Sequence, residues 1–188
     1  MLGEGLSFLI DALVQPFAAV LLFRFHAVWL KAPMRNPIGE FLMAITDFAV
    51  LPMRRFVHSA RGLDSATLLL AFVVEFIYLS AVLWLQGYAY ETFPLAGLLA
   101  WTTVKLLKIS IYLLIATLLA EAILSWVNPH TPLAPMLGAV NRPFLQPLRS
   151  RIPPVGNVDL SVLVLFLICQ LILIVPIGGL EQAVTKLL

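Results

Sequence analysis

The amino-acid sequence predicts an all-α membrane protein in which four transmembrane helices form two parallel tandem repeats, each a helix, an amphipathic loop and a second helix. Composition supports this fold class: 61% of the residues are hydrophobic and 12% are charged, whereas soluble domains are about half apolar and about a quarter charged. A soluble fold of 188 residues could not bury so much apolar surface. The chain also resembles itself after a shift of 95 residues.

Four apolar stretches are long enough to cross a bilayer, which needs about 20 residues of helix. Glu4 precedes the first stretch and no Lys or Arg does, so we interpret this stretch as a retained first helix rather than a signal peptide. The predicted spans cover about residues 6–30, 65–86, 109–127 and 160–177.

Lysine or proline residues interrupt the third and fourth apolar stretches. An apolar stretch that begins at residue 95 is divided by Lys105 and Lys108, so we expect an interfacial portion followed by the span. The fourth span is expected to end at Pro176 and the two glycines that follow the next residue, because proline and glycine disfavour a continuing helix. Residues 180–188 would then lie along the surface.

An internal repeat predicts how the spans are arranged. Each half holds two spans, an even number, so both halves enter the membrane in the same orientation. The repeats are predicted to be residues 1–94 and 95–188. A shift of 97 aligns Trp29 with Trp126. A shift of 95 aligns Pro37 with Pro132, Pro52 with Pro147, Arg54 with Arg149 and Asp64 with Asp159.

The basic residues predict the orientation in the membrane. Lys and Arg are enriched in cytoplasmic loops, and eight of the 12 basic residues lie in the two repeat loops. The loops are therefore predicted to be cytoplasmic and both termini periplasmic. Lys105 and Lys108 do not fit, since they fall at the outer end of span three. The eight loop residues are Lys31, Arg35, Arg54, Arg55, Arg61, Arg142, Arg149 and Arg151.

Each repeat loop is predicted to contain a short amphipathic helix that lies in the headgroup layer or dips shallowly under its own two spans. Apolar residues recur at helical spacing between Pro37 and Pro52, and again from Leu133 to Val140. In repeat two we expect Pro143 to end this helix, because proline removes a backbone donor.

Asp64 and Asp159 stand just before spans two and four, where a carboxylate can accept backbone N–H bonds as an N-cap. The arginines upstream are expected to contact anionic lipid headgroups or a partner. The alternative is that arginine, proline and aspartate together form an ion or partner site. The arginines concerned are Arg54, Arg55, Arg142, Arg149 and Arg151.

The second repeat contains, in and just before its loop, Ser125-Trp126, Pro147-Leu148-Arg149, Ile152-Pro153-Pro154, Gly156 and Asp159-Leu160-Ser161. This pattern resembles that of the YggT family, also called YlmG. The first repeat departs from the pattern, with His58-Ser59 where the second has two prolines. The resemblance covers about residues 21–79 and 118–174, in the two-repeat form of proteobacterial members.

The resemblance implies a small protein of the bacterial inner membrane or the thylakoid. Members of the family are linked to osmotic tolerance and potassium uptake, to cell division, and to assembly of cytochrome complexes in plastids. The family brings no settled biochemical activity, so it implies no catalytic residues.

Charged residues inside the spans are candidates for functional contacts. The shift of 97 aligns Arg24 with Glu121 and Asp11 with Lys108, and residues related by an axis along the membrane normal lie at equal depth. We therefore expect spans one and three to meet near this axis, with ion pairs Arg24–Glu121 and Asp11–Lys108. The alternative is that Arg24 extends alone to the headgroups.

Glu75 and Gln170 align at the middle of spans two and four. Isolated charge at that depth is costly, so Glu75 is expected to be protonated or hydrogen-bonded to a neighbouring helix. A role in a conduction path is the alternative.

No sequence motif predicts an enzyme, a cofactor or a metal site, and Cys169 is the only cysteine. The basic loops are short and rich in proline, which suits a membrane surface better than nucleic acid as the primary partner. Two hypotheses remain. The first is a scaffold or assembly factor whose cytoplasmic loops dock other membrane proteins. The second is a small channel or transporter subunit, in monomeric or homo-oligomeric form.

Overall fold

The computed structural model describes residues 2–57, 62–85, 87, 94–153 and 159–186, and every regular element in these ranges is helical. The predicted fold class is confirmed. The described residues include four helices long and apolar enough to span a membrane, namely Gly5–Trp29, Ser65–Leu85, Leu95–Val127 and Leu160–Thr185. Several residues used above lie outside the described part, at least in their side chains: Glu4, His58, Ser59, Arg61, Pro154 and Gly156.

Two triplets of helices follow one another along the chain. Repeat one consists of α1, α2 and α3, and repeat two of α4, α5 and α6, after which a π-helical turn leads into α7. Their bounds are α1 Leu2–Trp29, α2 Pro37–Arg54, α3 Ser65–Leu85, α4 Leu95–Val127, α5 Ala134–Arg149, α6 Leu160–Ile172, the π turn Leu173–Ile177 and α7 Gly178–Thr185.

The predicted amphipathic helix of the first loop is α2, and it starts at a well-defined cap. The side chain of Asn36 accepts hydrogen bonds from the backbone N–H groups of Ile38 and Gly39. Gly39 lies so close to the preceding chain that an added Cβ would stand 2.1 Å from the carbonyl oxygen of Met34. Only glycine fits this position without a shift of the backbone.

Helix α2 packs against α3 and against α1 from its loop end to about its middle. The rings of Phe48 and Phe17 stack with their centroids 5.9 Å apart, and Val50 shares an apolar core with Leu21 and Ala71. Phe17 lies twelve residues before the end of α1, about 18 Å along the helix axis. Helix α2 therefore reaches well along the spans instead of touching only their ends.

The loop helices of the two repeats meet at one end of the bundle. Leu42 of α2 packs in one apolar core with Met136 and Val140 of α5, and the Asn36 side-chain amide donates to the Met136 sulfur at 3.3 Å. Both repeat loops thus lie on the same face, which we call the loop face. This is the arrangement expected of parallel repeats.

Helix α4 is one continuous helix across the region where the sequence predicts an interfacial portion followed by a span. It runs for 33 residues, from Leu95 to Val127, through both Lys105 and Lys108, and is therefore about 50 Å long. The two ammonium groups are paired with the carboxylates of Glu75 and Glu181. Paired charge is less costly to bury than isolated charge, so both lysines can lie within an apolar helix.

Proline ends neither α5 nor the last span, contrary to expectation. Helix α5 continues through Pro143 and Pro147 to Arg149, and both prolines are exposed. Each proline lacks the N–H group that would bond the carbonyl four residues earlier, so α5 continues with two of its backbone hydrogen bonds missing. Around Pro176 the chain widens into the π turn and then continues as α7, which relieves the proline clash within a helical path.

Candidate functional site: polar side chains between the helices

Five polar side chains form a cluster between α1, α3 and α4, which we call the Glu75 cluster. Glu75 of α3 is completely buried. It accepts a hydrogen bond from Gln15 Nε2 of α1 at 3.0 Å, and its Oε1 lies 3.3 Å from Lys105 Nζ of α4. The other members are Asp11 of α1 and Tyr78 of α3, whose hydroxyl donates to the Asp11 carboxylate at 2.7 Å.

Lys105 connects the two halves of the Glu75 cluster. Its ammonium group faces the Glu75 carboxylate and also lies 4.5 Å from the centre of the Tyr78 ring, a cation–π contact. The second carboxylate oxygen of Glu75, Oε2, is buried and has no hydrogen-bond partner among the described residues. The cluster therefore joins three spans and retains one carboxylate oxygen that could accept a proton or a cation.

Gln170, the repeat-two counterpart of Glu75, is partly buried on α6 and is not a member of this cluster. The two aligned polar residues therefore have different surroundings. The contacts of Glu75 with α1 and α4 agree with the prediction that it is hydrogen-bonded to a neighbouring helix.

A second polar group joins α1 to the loop helix α2. Arg24 is 4% exposed, and its Nη1 atom lies 2.6 Å from the Asp47 carboxylate and donates to the Thr46 hydroxyl. Thr46 in turn donates to the backbone carbonyl of Leu42. The buried guanidinium is thus held by charge and hydrogen bonds from the loop helix of its own repeat.

The corresponding group of repeat two joins α4 to α5. Glu121 accepts a hydrogen bond from Asn141 Nδ2 at 2.6 Å, and the Thr117 hydroxyl donates to the Asn141 carbonyl oxygen at 2.7 Å. Asn141 aligns with Thr46 under the shift of 95, as Arg142 aligns with Asp47. The positions that make the contact are therefore equivalent in the two repeats.

The structure corrects the ion pairs proposed from the sequence. Arg24 pairs with Asp47 instead of Glu121, because α2 lies alongside α1 and brings its own carboxylate to the guanidinium. Lys108 pairs with Glu181, at 2.7 Å, instead of Asp11. This second pair exists because the last helix continues past Pro176 and carries Glu181 back along α4.

An arginine–aspartate pair closes each repeat loop. Arg54, at the end of α2, lies 2.5 Å from Asp64, just before α3. The equivalent Arg149, at the end of α5, lies 2.7 Å from Asp159, just before α6. The side chain of Asp64 is 1% exposed, whereas that of Asp159 is 36% exposed.

Both aspartates also contact the start of the helix that follows them. Asp159 is the N-cap of α6 and accepts from the Ser161 backbone N–H at 3.0 Å. Asp64 accepts from the backbone N–H and the hydroxyl of Thr67 in the first turn of α3. The capping geometry expected from the sequence is present at both positions, together with the arginine.

These contacts determine the charge state of the two aspartates. Burial alone would raise the pKa of Asp64, but the hydrogen bonds from Arg54 and Thr67 and the charge of Arg54 outweigh it and hold the pKa below its ordinary value. Burial would also raise the pKa of Asp159, but the hydrogen bonds from Arg149 and Ser161 and the charge of Arg149 outweigh it, so this pKa is lowered as well. Both carboxylates are therefore ionised at neutral pH.

The pairing of Arg54 with Asp64 was not part of the sequence prediction, although a signal for it existed. Arginine and aspartate are separated by ten residues in both repeats, and equal spacing in two copies suggests a shared contact. Of the other loop arginines, Arg55, Arg142 and Arg151 are exposed. Within the described residues there is no group of three or more His, Cys, Asp or Glu side chains that could hold a metal ion.

Comparison with known proteins identifies related sequences. The family model CCB3/YggT matches residues 3–85 and 100–180. The YggT protein of Escherichia coli K12 is 32% identical over 168 residues, which cover 89% of this chain and 86% of that protein. A protein of Pseudomonas aeruginosa is 29% identical over 181 residues, covering 95% and 91% of the two chains. No solved structure matches the chain.

Proposed function

The chain belongs to the CCB3/YggT family, and we propose that it is a non-enzymatic scaffold or assembly factor that docks other membrane proteins on its loop face. One observation carries this proposal. Leu42 of α2 and Met136 and Val140 of α5 share a core, so the loop helices of the two repeats form one continuous surface. A fixed surface can hold a partner without first being ordered, which lowers the entropic cost of binding.

The side chains on this surface suit protein and lipid contacts. Arg55, Arg142 and Arg151 are exposed, and Phe56, next to Arg55, is 82% exposed. Arginine and aromatic residues are enriched in protein interfaces, and basic residues near a bilayer also bind anionic headgroups. We propose that the loop face is cytoplasmic in a bacterial inner membrane and that the chain supports assembly or stress tolerance there.

Affinity purification from the native membrane in mild detergent tests the proposal. Arg55→Glu and Phe56→Ser change exposed side chains of the loop face, and each is expected to reduce co-purifying membrane proteins at least several-fold. Lys186→Glu is the matched control, because Lys186 is an exposed basic residue at the end of α7. If both loop variants retain the same partners as the unmodified chain and the control, the loop face is not the docking surface.

The Glu75 cluster favours a second candidate function, a channel or transporter subunit in ion homeostasis under osmotic stress. It joins two carboxylates and an ammonium group between spans, and one carboxylate oxygen has no partner among the described residues. A flux assay with the chain in liposomes tests this candidate. Flux that is lost in Glu75→Ala and kept in Glu181→Ala would favour transport over scaffolding, and absence of flux in the unmodified chain would reject it.

A further inference from the structure

Repeat two contains an apolar slot between α4 and α6. The cavity has a volume of about 520 Å³. Its mouth carries polar and amphipathic side chains, among them Ser125, Trp126 and the Arg149–Asp159 pair. The walls are formed by Leu118, Leu119, Ala122, Val162, Leu163 and Phe166.

A more polar chamber adjoins this slot. Its volume is about 570 Å³, and Glu121 and Arg149 line both cavities. Arg142 and Gln146 of α5 complete its polar wall. This open pocket carries three charged side chains beside Pro135, Gly138 and Ala139, and together with the apolar slot it matches the two parts of a phospholipid, the headgroup and an acyl chain.

Charge at the junction indicates which headgroup fits. Arg142 and Arg149 supply two positive charges, and Glu121 and Asp159 supply two negative charges, so the site is balanced. A purely basic pocket would suit an anionic headgroup, whereas this one suits a headgroup with a charge of each sign.

Arg149 and Glu121 each have polar atoms beyond those used in their hydrogen bonds to Asp159 and Asn141. The bond to Asp159 uses Nε of Arg149, and a guanidinium has four further N–H donors, which suit phosphate oxygens. The bond from Asn141 uses Oε2 of Glu121, and a carboxylate has a second oxygen that can accept from an ammonium group.

The slot is specific to repeat two. Leu119 is 48% exposed, whereas its counterpart in repeat one, Leu22, is 1% exposed. Leu22 is covered because Leu106 of α4 joins the same core. The open slot is therefore not a general consequence of the helix arrangement, since the same arrangement is filled in repeat one.

We propose that this site binds one phospholipid with a protonated primary amine in its headgroup, the phosphatidylethanolamine class. The phosphate lies between Arg142 and Arg149, the ammonium group donates to Glu121, and one acyl chain occupies the slot between α4 and α6. A bound lipid would occupy the slot of repeat two, and protein side chains occupy the equivalent space in repeat one.

Native mass spectrometry of the full chain, purified and mixed with equal amounts of three lipids, tests the proposal. Phosphatidylethanolamine is expected to be retained about tenfold over phosphatidylcholine, whose ammonium has no N–H donor, since one hydrogen bond to a charged group is worth about that ratio. It should also exceed phosphatidylglycerol, which has no ammonium group. Equal retention of the three lipids, or preference for phosphatidylglycerol, would overturn the assignment.

Three variants locate the bound lipid. Glu121→Gln should remove the preference for the amine, and Leu163→Trp should reduce retention of every lipid by filling the slot. Leu68→Trp is the matched control, because Leu68 is the repeat-one counterpart of Leu163 and should leave retention unchanged. Thermal unfolding in detergent verifies that each variant is folded. Equal retention in Leu163→Trp and Leu68→Trp, or a change of oligomeric state in place of lipid loss, would reject the site.

Discussion

In both repeats a charged residue of the first spanning helix bonds to the loop helix at equivalent positions, and that charge has opposite sign in the two repeats. In repeat one the spanning helix supplies the cation, Arg24, and the loop helix supplies the carboxylate, Asp47. In repeat two the spanning helix supplies the carboxylate, Glu121, which is held by Asn141 next to Arg142. The two repeats therefore share the positions of this contact and the polar character of its side chains, but not the sign of the charge on the spanning helix.

The repeats also differ in how completely they are closed. In repeat one Asp64 is buried although its partner Arg54 is 39% exposed, whereas in the equivalent pair of repeat two, Arg149 with Asp159, both side chains are exposed and lie at the mouth of a slot. Repeat one in addition contains Glu75, whose place in repeat two is taken by Gln170. The same arrangement of helices is thus closely packed and contains a buried carboxylate in repeat one, and is open with an apolar slot in repeat two.

Reversal of one charge in repeat one should have the largest effect. Arg24→Glu places a buried carboxylate beside Asp47, and we expect a loss of about 3–5 kcal/mol, because the new charge is buried even though the Asp47 side chain is 40% exposed. Adding Asp47→Arg restores opposite charges with the sign order of repeat two, and should recover most of the folded yield. Yield and thermal unfolding in detergent measure both effects.

Glu121→Arg is the control for this experiment. It would restore folding of Arg24→Glu only if the two spans paired directly across the pseudo-twofold axis. Rescue by Glu121→Arg without rescue by Asp47→Arg would contradict the contacts between each span and its own loop helix.

Removing the cation of the Glu75 cluster should have the next largest effect. Lys105→Ala leaves the Glu75 carboxylate completely buried without its counter-charge, and we expect a loss of about 3 kcal/mol in the free energy of unfolding. Glu75→Gln in the same chain should recover much of it, because the amide at the equivalent position 170 needs no cation. Denaturation in mixed micelles measures the difference.

Lys108→Ala is the matched control on the same helix. The partner of Lys108 is Glu181, and both side chains are about a third exposed, so the loss should stay below about 1 kcal/mol. Equal losses for the two lysine variants would mean that burial of Glu75 does not control the energetics of the cluster.

The sequence predicts the helices of this molecule better than their contacts. The spans, the loop helix α2 and the parallel order follow from composition, periodicity and the repeat, which are local or regular signals. The partners of Arg24 and Lys108 do not follow, because they depend on how deeply α2 lies along α1 and on the last helix continuing past Pro176. Proline destabilises a helix because it lacks a backbone donor, and here packing of the helices against α4 compensates for that loss.

The smallest expected effect concerns the two arginine–aspartate pairs. Because both aspartates have a lowered pKa in the folded chain, their contribution to stability is present above the ordinary pKa of 3.8 and is lost as pH falls through the folded value. Asp64→Asn should therefore reduce stability at neutral pH by about 2 kcal/mol and flatten its dependence on pH below 4. Asp159→Asn should cost less than about 1 kcal/mol, because solvent screens the exposed pair. Thermal unfolding between pH 3 and pH 7 distinguishes the two variants, and a larger effect of Asp159→Asn would show that the open repeat, with a ligand at the mouth of its slot, depends more on its pair than the closed repeat does.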